Sequence, residues 1–210
     1  RAAEDLAKAG FKAVKAKIGY PTLEDDLNVI RSMRNAVGPD VQIMVDYNQS
    51  LGRHEANLRL AALASEGLGW VEEPTLAHDY ACMSEVTATS KIPIQAGENW
   101  WGPLDFEHAA RAKATDLWMP DVMKVGGVTG WKQVSALAQS AQMPISSHLW
   151  PEISSQLLQA SPTAHRLEYV DWWNPILKEP LVVESGMAMP TNRPGSGVEW
   201  KLDAVEQFRC

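Results

Sequence analysis

Apolar residues along this chain switch repeatedly between a period of two and a helical period, and that alternation narrows the fold more than any single motif. Residues 1–10 place Ala2, Leu6 and Ala9 on one helical face and stop at Gly10. In the short strand that follows, Val14, Ala16 and Ile18 fall on one side and Ala13, Lys15 and Lys17 on the other. Helical spacing returns over Leu23 to Val37 and closes at Gly38-Pro39, and Val41 to Asp46 is a β-branched run. Further strands are expected over 69–74, 92–98, 116–121, 144–148 and 166–171, with helices over 53–66, 80–90, 104–112, 129–141 and 153–160. An α/β chain of this rhythm is absorbed economically only by a parallel sheet with covering helices.

Such a sheet is either open and doubly wound or closed into a barrel. The glycine-rich turn that an open nucleotide-binding sheet carries after its first strand is missing: there is no GxGxxG and no GxxxxGK[ST]. Instead, one ionisable residue stands at the end of every expected strand: Lys17, Asp46, Glu72, Glu98, Asp121, His148 and Glu168. They recur at about one βα unit each. Polar groups gathered at the carboxyl ends of successive strands are the layout of a TIM-barrel active site. Seven strands behind a leading helix, in a chain that starts at Arg1, lead us to expect a TIM-type (β/α) barrel lacking strand one. Residues 1–171 are then a barrel incomplete at its N-terminus. Residues 172–210, rich in Pro and Gly with short strands expected near 181–183 and 197–200, are a tail packing outside the repeat.

Composition removes other classes. A formal net charge of −7, from 19 basic and 26 acidic residues, argues against nucleic acid or an anionic membrane as the main partner. Cys82 and Cys210 make neither a disulfide framework nor a metal-type CxxC pair, which suits a reducing cytoplasm. No apolar run is long enough to span a bilayer, and no signal-peptide pattern is present.

The strand-end residues suggest chemistry. Asp46, Glu72 and Glu98 lie on adjacent strands, and three converging carboxylates repel each other unless a cation sits between them. An all-oxygen set suits a hard ion, Mg²⁺ before Mn²⁺ or Ca²⁺; the competing reading is that each acid merely caps a helix. Glu73 points to the other face, toward a helix or toward the groups behind the carboxylates. Asp121 and His148, on neighbouring strands, make either an oriented general base or a satisfied strand-end histidine. Glu168 is either a carboxylic acid kept protonated to donate a proton, or a plain salt-bridge partner. Lys15 and Lys17 project from one face about 7 Å apart. They are either a surface pair or two ammonium groups that lower each other's pKa.

Taken together, Lys15-Ala-Lys17, Val45-Asp-Tyr-Asn48, Val71-Glu-Glu-Pro-Thr75, Gly97-Glu-Asn-Trp100, Met119-Pro-Asp-Val-Met-Lys-Val-Gly-Gly127 and Ser146-Ser-His-Leu149 resemble the enolase superfamily, within it the mandelate racemase subgroup. The resemblance runs from the first helix through Glu168 and more loosely into the tail. It implies a (β/α) barrel beneath a separate N-terminal α+β capping domain. It implies that Asp46, Glu72 and Glu98 hold Mg²⁺, which binds a small-molecule carboxylate substrate. Lys17 is then one base, its pKa lowered by Lys15, and His148, paired with Asp121, is the base on the opposite face. Glu168 donates as an enediolate forms, and Asn48 contacts the substrate near its α-hydroxyl. Muconate-lactonising relatives place a lysine where Asp121 stands here, so this position favours the racemase subgroup. A homo-oligomer is expected.

Two bases on opposite faces permit inversion, and they equally permit β-elimination of water from an acid sugar. The expected reaction is racemisation of a 2-hydroxy acid, with acid-sugar dehydration as the alternative. Trp172-Trp173 either lines a pocket for an aryl group or is packing. A Schiff-base aldolase would need no three-carboxylate site, and an inactive barrel fragment would not retain the whole set.

Overall fold

Five parallel strands of the computed structural model pair in sequence order: β1 (Ala13–Lys17), β2 (Gln42–Asp46), β3 (Leu68–Glu72), β4 (Ile94–Ala96) and β5 (Leu117–Trp118). The structure describes residues 2–209; Arg1 and Cys210, one of the two cysteines weighed above, lie outside the described residues. Helices α1 (Ala2–Lys8), α2 (Leu23–Val37), α3 (Arg53–Leu63), α4 (Tyr80–Thr89), α5 (Gly102–Ala112), α6 (Gly127–Ala141) and α7 (Pro151–Gln159) fill the intervals. Among the described residues, no helix is long and apolar enough to cross a membrane.

Local chemistry sets the boundaries. Thr22 caps α2 by accepting from the Asp25 N–H at 3.2 Å, and three acids fill the first turn, where the helix dipole favours them. Gly38, at φ 77°, ends the same helix. The strands turn Val14, Ile43, Val45, Val71, Ile94 and Trp118 outward onto the helices, where Trp100, Phe106 and Trp118 meet edge-to-face with centroids 4.9 and 5.3 Å apart. All three are fully buried.

The two expected strands at 144–148 and 166–171 do not form as ladders. Only single parallel bridges remain, Ile145 to Trp118 and to Ala164, and His148 to Asp121. Pro120 and Pro144 explain it: each accepts a bond through its carbonyl, from His148 and Trp118, but neither has an N–H to return. The chain path continues across the interior all the same, since Lys15 on β1 reaches Glu168 and Arg166 reaches Gln42 on β2.

In the tail the expected strand at 181–183 is β6 (Val182–Glu184), and its antiparallel partner is β7 (Met187–Met189), not the segment near 197–200, which contributes one bridge from Trp200 to Leu177. The β6–β7 turn presses on the loop before β1. A Cβ on Gly186 would stand 2.5 Å from the Gly10 carbonyl oxygen, so glycine is required there.

Gly97 couples the fold to the chemistry. It sits at φ 141° immediately before Glu98, and a Cβ there would meet Met119 backbone atoms at 2.9–3.0 Å. Gly97→Ala is expected to lower stability by about 2 kcal/mol, as read from the urea midpoint, because strain and a backbone clash act together. An unchanged midpoint would show that β4 and β5 can part without cost.

Candidate active site

Register alone assembles the first half of the site. Parallel pairing sets Lys17 opposite Asp46 and Asp46 opposite Glu72, so the last residues of β1, β2 and β3 stand in one row. Glu98, two residues past β4, completes the group. One carboxylate oxygen from each of Asp46, Glu72 and Glu98 lies within 4.8 Å of the others, and all three residues are buried.

These acids are only partly neutralised. Lys17 donates to Asp46, and Lys15 lies 2.7 Å from both Glu72 Oε1 and Glu168 Oε1. Trp70 Nε1 donates to Glu72 Oε2 at 3.2 Å. Glu98 Oε1 accepts from the Asn48 and Asn99 amides, each at 3.2 Å, while its buried Oε2 makes no hydrogen bond. Burial pushes Glu72 above the ordinary carboxylate range by more than the Lys15 ammonium pulls it down. A buried all-oxygen set with one oxygen unpartnered and one acid resisting ionisation fits a hard divalent cation.

The second half is built from bridges. Asp121 and His148 are bridge partners, and His148 Nδ1 lies 2.7 Å from Asp121 Oδ2. Asp121 is half-pinned already, because its Oδ1 accepts from the Met123 and Lys124 N–H groups at 2.7 and 3.2 Å. Burial works against the Asp121 charge, but the bond to His148 and these amides hold its pKa below the usual range. An ionised Asp121 fixes the imidazole proton on Nδ1 and leaves Nε2 as the basic atom. Nε2 stands 3.1 Å from Glu98 Oε2.

The structure thus gathers Lys15, Lys17, Asp46, Asn48, Glu72, Glu98, Asp121, His148 and Glu168 at one end of the strands. Two electrostatic expectations need correction. Lys17 is not depressed by Lys15 while it pairs with Asp46: burial and Lys15 both pull it down, but the Asp46 contact and the Glu98 charge outweigh them and raise it, and a cation on those two acids would remove both raising contacts. Glu168 is not held as a protonated acid: burial favours protonation, yet the Lys15 ammonium and the Leu149 N–H keep it below the carboxylate range. It is the salt-bridge partner of Lys15.

Stability follows from the signs. A depressed folded-state pKa at Asp121 and Glu168 means the unfolded chain takes up protons first as pH falls. The contribution is therefore complete at neutral pH and lost below about pH 4. Glu168→Gln is expected to flatten the fall of the urea midpoint between pH 5 and pH 3 roughly; a slope equal to the parent's would contradict the assignment.

Sequence reasoning passed over Gln95, fully buried with Nε2 3.4 Å from Glu72 Oε2, and Asn99, which bridges Glu98 and Glu73. Gln95 carried a signal, a polar residue between Ile94 and Ala96 in the inward phase of β4. Glu73, at φ 39°, turns into the site's rear and accepts from Asn99. Trp173 stacks on Trp150 at 4.8 Å, which makes it a packing residue, while Trp172 is exposed.

Comparison with known proteins agrees with this geometry. The family of enolase C-terminal domain-like sequences matches residues 1–204. The D-galactarolactone cycloisomerase of Agrobacterium fabrum is 31% identical over 95% of this chain and 57% of its own. The L-talarate/galactarate dehydratase of Salmonella typhimurium is 29% identical over 90% of this chain and 47% of its own. A Bradyrhizobium enolase crystallised with magnesium and mandelic acid superposes with a TM-score of 0.92 at 45% identity, covering 95% of this chain and 55% of that one. The chain spans about half the length of the curated relatives it matches. Its strand order, its carboxylate triad and these matches agree: the chain belongs to the enolase C-terminal domain-like family of the enolase superfamily.

Proposed function

We propose that the full-length protein removes the α-proton of a small carboxylate substrate with the help of Mg²⁺, and that the outcome is racemisation of a 2-hydroxy acid of mandelate type. One observation carries the reading: the triad has a lysine at one end and an imidazole at the other. Lys17 sits on Asp46 and His148 Nε2 lies 3.1 Å from Glu98, with Glu72 between them. Asp46, Glu72 and Glu98 would hold the ion, which supplies a Lewis acid for the substrate carboxylate and for the charge that develops as the α-proton leaves.

The remaining work belongs to side chains. Lys17, released from Asp46 once a cation holds that acid, would take the proton from one face, and His148, oriented by Asp121, would return it on the other. Lys15, clamped between Glu72 and Glu168, is an ammonium fixed beside the triad and would lower the cost of the developing charge. Asn48 reaches the same carboxylate cluster through Glu98 and is placed to meet the group next to the reacting carbon.

The Bradyrhizobium structure with mandelic acid supports the racemase outcome. A second reading, acid-sugar dehydration, is favoured by relatives named as dehydratases, such as that of Salmonella typhimurium. The same His148 would then protonate a leaving β-hydroxyl. Incubating the full-length protein with mandelate-like acids and with acid sugars, and following products by NMR, separates the two. Inverted 2-hydroxy acid supports racemisation, a 2-keto-3-deoxy acid supports dehydration, and a protein inert toward both classes would refute the proposal.

A further inference from the structure

We infer that Lys124 is a positioning residue for the divalent-cation site, acting through Asn99 on the Glu98 carboxylate. Lys124 follows β5, holds no position among the three acids, and its ammonium donates to Asn99 Oδ1 at 2.8 Å. The Asn99 amide nitrogen faces two acids: Glu73 Oε2 at 2.8 Å and Oε1 at 3.1 Å, and Glu98 Oε1 at 3.2 Å. An amide between an ammonium and two carboxylates can sit only one way, oxygen toward the cation and nitrogen toward the anions. The ammonium therefore fixes Asn99, and Asn99, together with Asn48, fixes which oxygen of Glu98 is occupied.

The occupied oxygen is Oε1. Glu98 Oε2 is left buried with no donor on it from Asn48 or Asn99, facing the basic Nε2 of His148 at 3.1 Å, and is the atom a cation would use. Glu73 supports the arrangement from behind: it is fully buried, held at φ 39° with its carbonyl bonded to the Gln49 N–H at 2.8 Å. Among the described residues Lys124 reaches this rear side, whereas Lys15 and Lys17 bond at the front, to Glu72 and Asp46. Groups behind metal ligands set ligand orientation, and losing one typically weakens metal binding by about ten- to a hundredfold.

The sign of the effect separates positioning from plain charge. If Lys124 were only a nearby positive charge, removing it would tighten Mg²⁺ binding, because like charges repel. Positioning demands the reverse. The contact to Asp121 comes from the Lys124 backbone N–H and survives a side-chain substitution.

The inference rests on the metal reading above, and titration calorimetry of Mg²⁺ into the full-length protein tests both separately. Lys124→Met is expected to raise the Mg²⁺ dissociation constant about tenfold or more, and Asn99→Leu to do the same. The double variant should be no worse than either single one, because both break one chain of contacts. Circular dichroism of the metal-free variants verifies that they fold; Asn99→Ser replaces Asn99→Leu if the latter does not. Unchanged or tighter binding in Lys124→Met, or losses that multiply in the double variant, would overturn the positioning role alone. A parent that binds no Mg²⁺ would overturn the metal reading, and the inference with it.

Discussion

Lys17→Ala and His148→Asn are each expected to stop α-proton exchange with one enantiomer of the substrate and to leave it running with the other. The two residues stand at opposite ends of the carboxylate row, so in the proposed mechanism each would face one side of a substrate carbon held over the triad. A positioned base contributes about 10²–10⁴ in rate, and the loss should fall in that range for the affected enantiomer. Racemisation needs both steps and should fall by as much in either variant. Asp121→Asn should copy His148→Asn in direction, since it removes the charge that holds the proton on Nδ1 and offers an amide N–H that favours the other tautomer. Exchange lost with both enantiomers in either single variant, or with neither, would break the two-base assignment.

The second large effect concerns stability. Lys15 is half-buried between Glu72 and Glu168, 2.7 Å from an oxygen of each. Burial disfavours its charge, but the two acids overcompensate and raise its pKa above the ordinary value. Lys15→Met leaves the Glu168 carboxylate, and Glu72 in its ionised form, without their cation in a half-buried site. Breaking a buried pair from one side costs about 3–5 kcal/mol, and the urea midpoint of the metal-free protein should drop accordingly. Adding Mg²⁺ should restore part of the loss, because binding to the native state alone shifts the equilibrium by mass action. A midpoint within about 0.5 kcal/mol of the parent would mean that Glu72 and Glu168 are neutral without Lys15.

The alternation of periods was enough to predict the parallel order and to place an ionisable group at each strand end, because side-chain phase in a strand follows directly from residue number. That is why Lys17, Asp46 and Glu72 meet in one row as expected. Where the sequence misled, the cause lay across the barrel. The charge state of Glu168 depends on Lys15 arriving from β1, and the state of Lys17 depends on Asp46 on the next strand. Neither contact has a local signature. The last two strands shrank to bridges because Pro120 and Pro144 withhold donors, a signal present in the residues but outvoted by their β-branched neighbours. Asn99 lay in view within Gly97-Glu-Asn-Trp100, yet its role as a bridge emerges only once Lys124 and Glu73 are brought beside it.

The central claim is that the buried triad and its two flanking bases labilise the hydrogen next to a carboxylate. It is tested most directly by incubating each enantiomer of mandelate with the full-length protein in D₂O, with Mg²⁺ and with EDTA, and reading the α-hydrogen by NMR. The account predicts deuterium at that carbon from both enantiomers with Mg²⁺, and from neither with EDTA. Turnover that leaves the α-hydrogen in place, or exchange indifferent to EDTA, would contradict it.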